Sequence, residues 1–264
     1  MSGSGQWSDL RARVLSAIVM VIVGFAAIWA GGDIFNLFIA ASCGAMMWEL
    51  LRMLAPDKGS VALWMGVVSA GAVLASAYLP AFYVLPVLLA PALAAAGQIS
   101  AHRSICLPYA MWITLAGFGM IVIRGDFGLA TLLWLICVVV ATDVAGYFAG
   151  RLIGGPKFWP RVSPKKTWSG TVAGWIAAAL VGWGFASTLG NGGALVLLSV
   201  VLSMASQAGD VAESAIKRKV DVKDSSNLIP GHGGFLDRFD GMLGASALFL
   251  LVGVFLLGGS LGAG

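Results

Sequence analysis

Residues 128–148 read GLATLLWLICVVVATDVAGYF, a run whose single charge is Asp143. A run of about 20 apolar residues is long enough to cross the hydrocarbon core of a bilayer as a helix. Its hydrophobicity is continuous rather than alternating, which argues against a barrel strand. Backbone in hydrocarbon must satisfy its own hydrogen bonds, which selects helix over open strand. Eight further apolar stretches flank it, at roughly 14–30, 34–51, 61–79, 81–96, 108–123, 171–189, 194–209 and 242–261. The fourth is short and carries Pro86 and Pro91. The composition agrees: 59% of the 264 residues are hydrophobic and 11% charged, with a mean hydropathy of +0.92. Soluble domains carry about 25% charged residues, so a soluble domain and a disordered chain are both excluded. The expected fold is all-α, a polytopic integral membrane protein with about nine transmembrane helices.

Orientation follows from the basic residues. With the N-terminus cytoplasmic and nine spans, all of the 16 Lys and Arg except Arg124 fall on inner segments. The net charge of +4 is then a matter of orientation and lipid headgroups. The basic residues sit in short segments between spans, which argues against nucleic-acid binding. The first stretch follows Arg11 and Arg13 as in a signal peptide. It is longer than a usual signal core, however, and ends Ile28-Trp29-Ala30 without an A-x-A site, so it reads as a retained anchor. Cys43, Cys106 and Cys137 read as small buried hydrophobes. His102 is given no role, and Trp29, Trp64, Trp159, Trp168 and Trp175 read as interfacial or packing residues. The Gly-rich C-terminus reads as a frayed tail. The expected organisation is an N-terminal set of about five helices over 1–127, then a catalytic region over 128–264 with cytoplasmic loops 149–170 and 210–240.

Those two loops stand out in their polar content. The first is purely basic, with Arg151, Lys157, Arg161, Lys165 and Lys166; the second carries Asp210, Glu213, Asp221, Asp224, Asp237 and Asp240. As a helix, 209–218 sets Asp210, Glu213, Ser214 and Lys217 on one face. In Pro230-Gly231-His232-Gly233-Gly234, three glycines allow positive φ and bring backbone N–H groups close to a ligand. Asp237 and Asp240 follow three residues apart, and such like charges favour a cation between them. Hard oxygen ligands of this kind suit Mg²⁺ with substrate phosphates. Asp143 is an intramembrane carboxylate, costing about 2.5–3.5 kcal/mol on insertion scales, with Arg151 as an alternative structural partner. Glu49 reads as an ion pair with Arg52. Ser163, Lys165, Lys166 and Thr167 form a hydroxyl and lysine cluster at a helix start, which suits phosphate. Gathered on one membrane face, these groups fit metal-assisted phosphoryl or nucleotidyl transfer.

Ser214-Ala215-Ile216-Lys217-Arg218, Lys223-Asp224-Ser225-Ser226, Leu228 to Gly234 and Leu236-Asp237-Arg238-Phe239-Asp240 closely resemble the signature of the phosphatidate cytidylyltransferase family. Ala141-Thr142-Asp143 through Phe148, and Ser163 to Trp168, are also similar to it. The motif resemblance covers the C-terminal half; the N-terminal half matches only in being hydrophobic. Two positions depart: Ser169, where the family usually has Glu, and Ser226, where it usually has Gly. No role is carried to Ser169. The resemblance implies transfer of CMP from CTP to phosphatidic acid, giving CDP-diacylglycerol and pyrophosphate. It implies Mg²⁺, with K⁺ as an assisting cation, and a homodimer in the lipid bilayer. The compact chain and an N-terminus without transit-like character point to a bacterial inner membrane, and the distribution of basic residues puts the site on its cytoplasmic face. The resemblance places metal on Asp210, Asp237 and Asp240. Asp143, Lys217 and Arg238 join them as catalytic residues. By their chemistry, Ser163, Lys165, Lys166, Thr167, Arg218, Lys223, Asp224, Gly231, His232, Gly233 and Gly234 are the expected substrate contacts. Rival readings are a CTP-dependent polyprenol or phytol kinase, similar to dolichol kinase, and a secondary transporter using Asp143 and Asp210. The one-sided charge cluster and the lack of an evident repeat argue against the transporter.

Overall fold

The computed structural model describes residues 4–190 and 192–256, with side chains for 13–190 and 192–252. Among these residues the chain forms nine α-helices: α1 (Ser4–Ala30), α2 (Gly32–Leu54), α3 (Gly59–Ser76), α4 (Ala81–Gln98), α5 (Arg103–Asp126), α6 (Gly128–Leu152), α7 (Trp168–Leu189), α8 (Gly192–Lys219) and α9 (Leu236–Leu256). Each of the nine expected stretches seeds one helix. Eight of them, α1 to α8, are long and apolar enough to cross a membrane. Residues 257–261 of the expected ninth stretch, the Gly-rich tail and the Arg11 side chain lie outside the described residues. The fourth stretch is a helix with both Pro86 and Pro91 inside it; neighbouring groups in a membrane bundle can satisfy the freed backbone.

One element departs from an all-helical reading. Between α6 and α7 lies an antiparallel pair, β1 (Lys157–Trp159) and β2 (Ser163–Thr167). Phe158 packs edge-on against Trp168 at 4.9 Å between ring centroids. β2 runs straight into α7, whose N-cap Thr167 accepts a hydrogen bond from Gly170 N at 3.2 Å.

The chain divides into two compact units. The first comprises residues 1–114 with 220–238. Its core holds Phe35, Met47, Leu50, Leu51, Leu88 and Ile113. α2 and α3 approach so closely that a Cβ on Gly44 would stand 2.8 Å from the Gly66 carbonyl oxygen. The Thr114 hydroxyl donates to the Leu88 carbonyl at 2.9 Å.

The second unit comprises residues 115–219 with 239–264. Its core holds Leu132, Trp134, Leu135 and Leu202. Trp134 Nε1 donates to Ser199 Oγ at 2.9 Å, and Thr142 bonds Ser203 at 2.7 Å. Such interhelical polar bonds are the membrane counterpart of core specificity. In each unit large apolar side chains face outward, among them Leu15, Ile22 and Phe25 in the first and Leu180, Trp183 and Leu197 in the second. A lipid solvent accounts for this surface. Of the cysteines, Cys43 and Cys106 are buried as expected, whereas Cys137 is exposed. Apolar solvent removes the need to bury it.

Candidate functional site

The second unit gathers carboxylates and lysines from four elements. α6 supplies Asp143, β2 supplies Lys165 and Lys166, α8 supplies Asp210, Glu213 and Lys217, and α9 supplies Asp240, its fifth residue. Lys166 Nζ pairs with Asp210 Oδ2. The Asp240 carboxyl stands in hydrogen-bond contact with that of Asp210. Asp143 lies in electrostatic reach of both Asp210 and Lys166. One turn beyond Asp210, the buried Glu213 pairs with Lys217 at 2.6 Å.

Glycine makes this convergence possible. A Cβ on Gly209 would run into the Asp240 carbonyl oxygen, and one on Gly244 into that of Ala205. The start of α9 therefore lies directly on α8, which brings Asp240 to Asp210. Asp240 Oδ1 in turn accepts from Gly241 N at 2.7 Å.

A cavity of about 480 Å³ opens beside the cluster. Thr142, Asp143, Tyr147, Arg151, Lys165, Lys166, Gln207 and Asp210 are among its lining residues. Arg151, the alternative partner for Asp143, instead donates to the Tyr147 hydroxyl at 2.8 Å. Gln207, which the sequence reading passed over, accepts from Trp175 Nε1 at 2.9 Å and donates to the Thr171 carbonyl at 3.2 Å. Its signal was a lone amide in an apolar helix.

The acid–base balance bears on a metal. The Asp210 and Asp240 carboxyls stand in contact, and two carboxyls in contact need a proton or cation between them. Among the described residues no three His, Cys, Asp or Glu side chains form a ready-made cage. Mg²⁺ does not require one, since it commonly takes one or two carboxylates plus phosphates and water. Asp210 and Asp240 fit that habit.

Most of the remaining expected residues belong to the first unit, on the segment 220–238 that runs into the start of α9. Lys223 and Asp224 are exposed. Gly231 and Gly233 take φ of 75° and 83°, the left-handed conformation the glycines were expected to supply. His232 Nδ1 lies 2.8 Å from Ser16 Oγ. Arg238 donates through Nε and Nη2 to the His232 carbonyl at 2.9 and 2.6 Å, so its guanidinium shapes the loop. Asp237 Oδ2 likewise clips the loop, accepting from Ser225 N at 2.9 Å, Ser225 Oγ at 2.9 Å and Gly234 N at 2.8 Å. Ser163 begins β2, half-buried, and Arg218 is exposed near the end of α8.

Three positions differ from their sequence reading or gain a role from the structure. Glu49 does not pair with Arg52. It is fully buried and accepts from Ser226 Oγ at 2.6 Å, Phe235 N at 2.9 Å and Leu236 N at 2.7 Å. Arg52 is exposed, with its guanidinium 6.0 Å from the Trp48 ring centre. The two departures from the family pattern also acquire partners. Ser226 is one of the Glu49 donors, and Ser169 Oγ donates to the Gly154 carbonyl at 2.5 Å.

The profile of the cytidylyltransferase family matches residues 11–256. A phosphatidate cytidylyltransferase of Brucella suis biovar 1 (strain 1330) is 38% identical over 263 residues, covering 93% of this chain and 94% of its own. One of Rickettsia bellii (strain RML369-C) is 35% identical over 231 residues, covering 77% and 96%. One of Bacillus subtilis (strain 168) is 32% identical over 258 residues, covering 89% and 94%. With the profile matching nearly the whole chain, the chain belongs to the cytidylyltransferase family.

Proposed function

We propose that this chain is a phosphatidate cytidylyltransferase, a nucleotidyltransferase that moves CMP from CTP to phosphatidic acid. The observation that carries the reading is the contact of Asp210 with Asp240 and Lys166 beside a cavity lined by Lys165, Lys166 and Arg151. It unites a cation's ligands with a phosphate's counter-charges. The relatives named above bear the same activity in their names.

In this reading Lys165, Lys166, Lys217 and Arg218 hold triphosphate or lipid phosphate, with Ser163 and Thr167 as hydroxyl contacts. The loop residues Lys223, Asp224, Gly231, His232, Gly233, Gly234 and Arg238 contact or shape the nucleotide pocket. Asp210, Asp237 and Asp240 would hold Mg²⁺, and Asp143 positions substrate or metal. Bound Mg²⁺ would supply charge neutralisation on the phosphates; K⁺ is the proposed second cation. A phosphate oxygen of the lipid forms a bond to the α-phosphorus of CTP, the bond from that phosphorus to the bridging oxygen breaks in line, and pyrophosphate leaves. A phosphomonoester is largely ionised near neutral pH, so the attacking oxygen needs little help from a base. His232 is accordingly a contact rather than a proton acceptor.

The eight long apolar helices make the chain an integral membrane protein. A homodimer in the bacterial inner membrane, with the site on the cytoplasmic face, completes the proposal. The test is an assay of purified protein in detergent with phosphatidic acid, CTP and Mg²⁺. CDP-diacylglycerol with equimolar pyrophosphate, abolished by EDTA, is expected. CDP released with a phosphorylated polyprenol would replace this reading with a lipid kinase. Folded protein turning over neither lipid would end it.

A further inference from the structure

We propose that Glu49 of α2, far in sequence from every signature motif, is a positioning residue that sets the glycine-rich loop for cytidylyl transfer. The inference rests on the functional reading above. Four donors of one loop reach this single buried carboxylate. Ser226 Oγ and Phe235 N reach Oε1 at 2.6 and 2.9 Å, and Leu236 N and Ser225 Oγ reach Oε2 at 2.7 and 3.4 Å. Both oxygens act as acceptors, the pattern of a carboxylate and not of an amide. The donors come from both sides of the loop, Ser225 and Ser226 before its glycines, and Phe235 and Leu236 after them. The two backbone donors open α9, where the orphan N–H groups and the helix dipole favour an anion.

The contact therefore closes the base of the Pro230–Gly234 turn, as Asp237 does with Ser225 and Gly234. Gly234 sits against the same groups: a Cβ there would meet Ser225 Oγ, and Glu49 Oε1 at 2.5 Å. His232, Lys223 and Asp224 are carried by the segment so held. Glu49 itself is 0% exposed, so it acts through the loop and not on substrate.

The experiment compares full-length wild type with E49Q, E49D, S226A and R52Q. It reads steady-state kinetics and hydrogen–deuterium exchange of residues 223–238 against those of α4. An amide at 49 turns an N–H donor toward donors, so E49Q is expected to lose about tenfold or more in kcat/KM for CTP, the scale of a lost buried bond to a charged group. Its KM for phosphatidic acid should stay within about twofold of wild type. Exchange should rise in 223–238 while α4 keeps its protection. E49D should recover part of the loss. S226A, which removes one donor and leaves Glu49 intact, should loosen the same peptide and lower kcat/KM for CTP to a smaller degree. R52Q should match wild type, since Arg52 does not hold Glu49. Wild-type kinetics and protection in E49Q would overturn the proposal, as would protection lost equally in α4. If E49Q does not fold, unchanged exchange and kinetics in S226A would overturn it instead. Absence of CDP-diacylglycerol from wild type would sink the functional reading, while the exchange comparison would still judge the clip.

Discussion

Asp210 and Asp240 meet carboxyl to carboxyl, with Lys166 on the first of them. That contact is tenable only with a positive charge or a shared proton in it, which makes Asp240 the most exacting residue to alter. Asp240→Asn should lower turnover by about 100-fold or more, the scale seen when a group stabilising transition-state charge is lost, with the protein still folded. Near-normal turnover would remove Asp240 from the site. Lys166→Met should act through CTP, raising its KM about tenfold as a charge-assisted phosphate contact is lost; an unchanged KM and rate would assign Lys166 to Asp210 alone. These residues were legible because charge inside or beside an apolar run is expensive and demands a reason. Glu49 was legible as a charge but not as a clip. Arg52 offered a partner one turn away, while the donors it uses lie 176 to 187 residues downstream.

At the scale of elements, the apolar runs disclosed each helix but not the polar turns by which α1, α8 and α9 extend beyond them. The hairpin of β1 and β2 was not legible. Its strands are three and five residues long, too short for an alternating pattern, and SPKKT is polar on both faces. What holds it is tertiary: Phe158 on Trp168, and Thr167 serving both as the last strand residue and as the α7 cap. Thr167 is buried, and a Cβ on Gly150 would stand 2.9 Å from its Oγ1. Thr167→Ala should therefore destabilise by about 1 kcal/mol, the usual value of an N-cap hydroxyl, measurable as a lower midpoint of thermal unfolding in detergent. A midpoint equal to that of wild type would mean that the cap contributes nothing. Because Lys165 and Lys166 ride on the same strand, the variant should also weaken CTP binding, readable as a raised KM.

For the whole molecule, the distribution of Lys and Arg gives a topology that can be tested without knowing the reaction. Arg124→Cys should be labelled by an impermeant maleimide from outside intact cells, and Lys223→Cys only after the inner face is exposed. Labelling of both from the same side would refute the nine-span, N-inside arrangement. Helices could be read because lipid as a solvent imposes one length and one hydropathy on every span. The grouping of residues 220–238 with the first unit could not, because it depends on hydrogen bonds between segments and leaves no periodic trace.

The bonding of Glu49 also has a history within each molecule's synthesis. α2 leaves the ribosome long before residues 225–236 have been polymerised. Throughout that interval none of the four donors exists, and the carboxylate must be satisfied by water, by headgroups or by its own helix. The nascent N-terminal helices thus carry an unsettled acid until nearly the last span is made. A chain that stops short of Ser225 would never acquire these four donors.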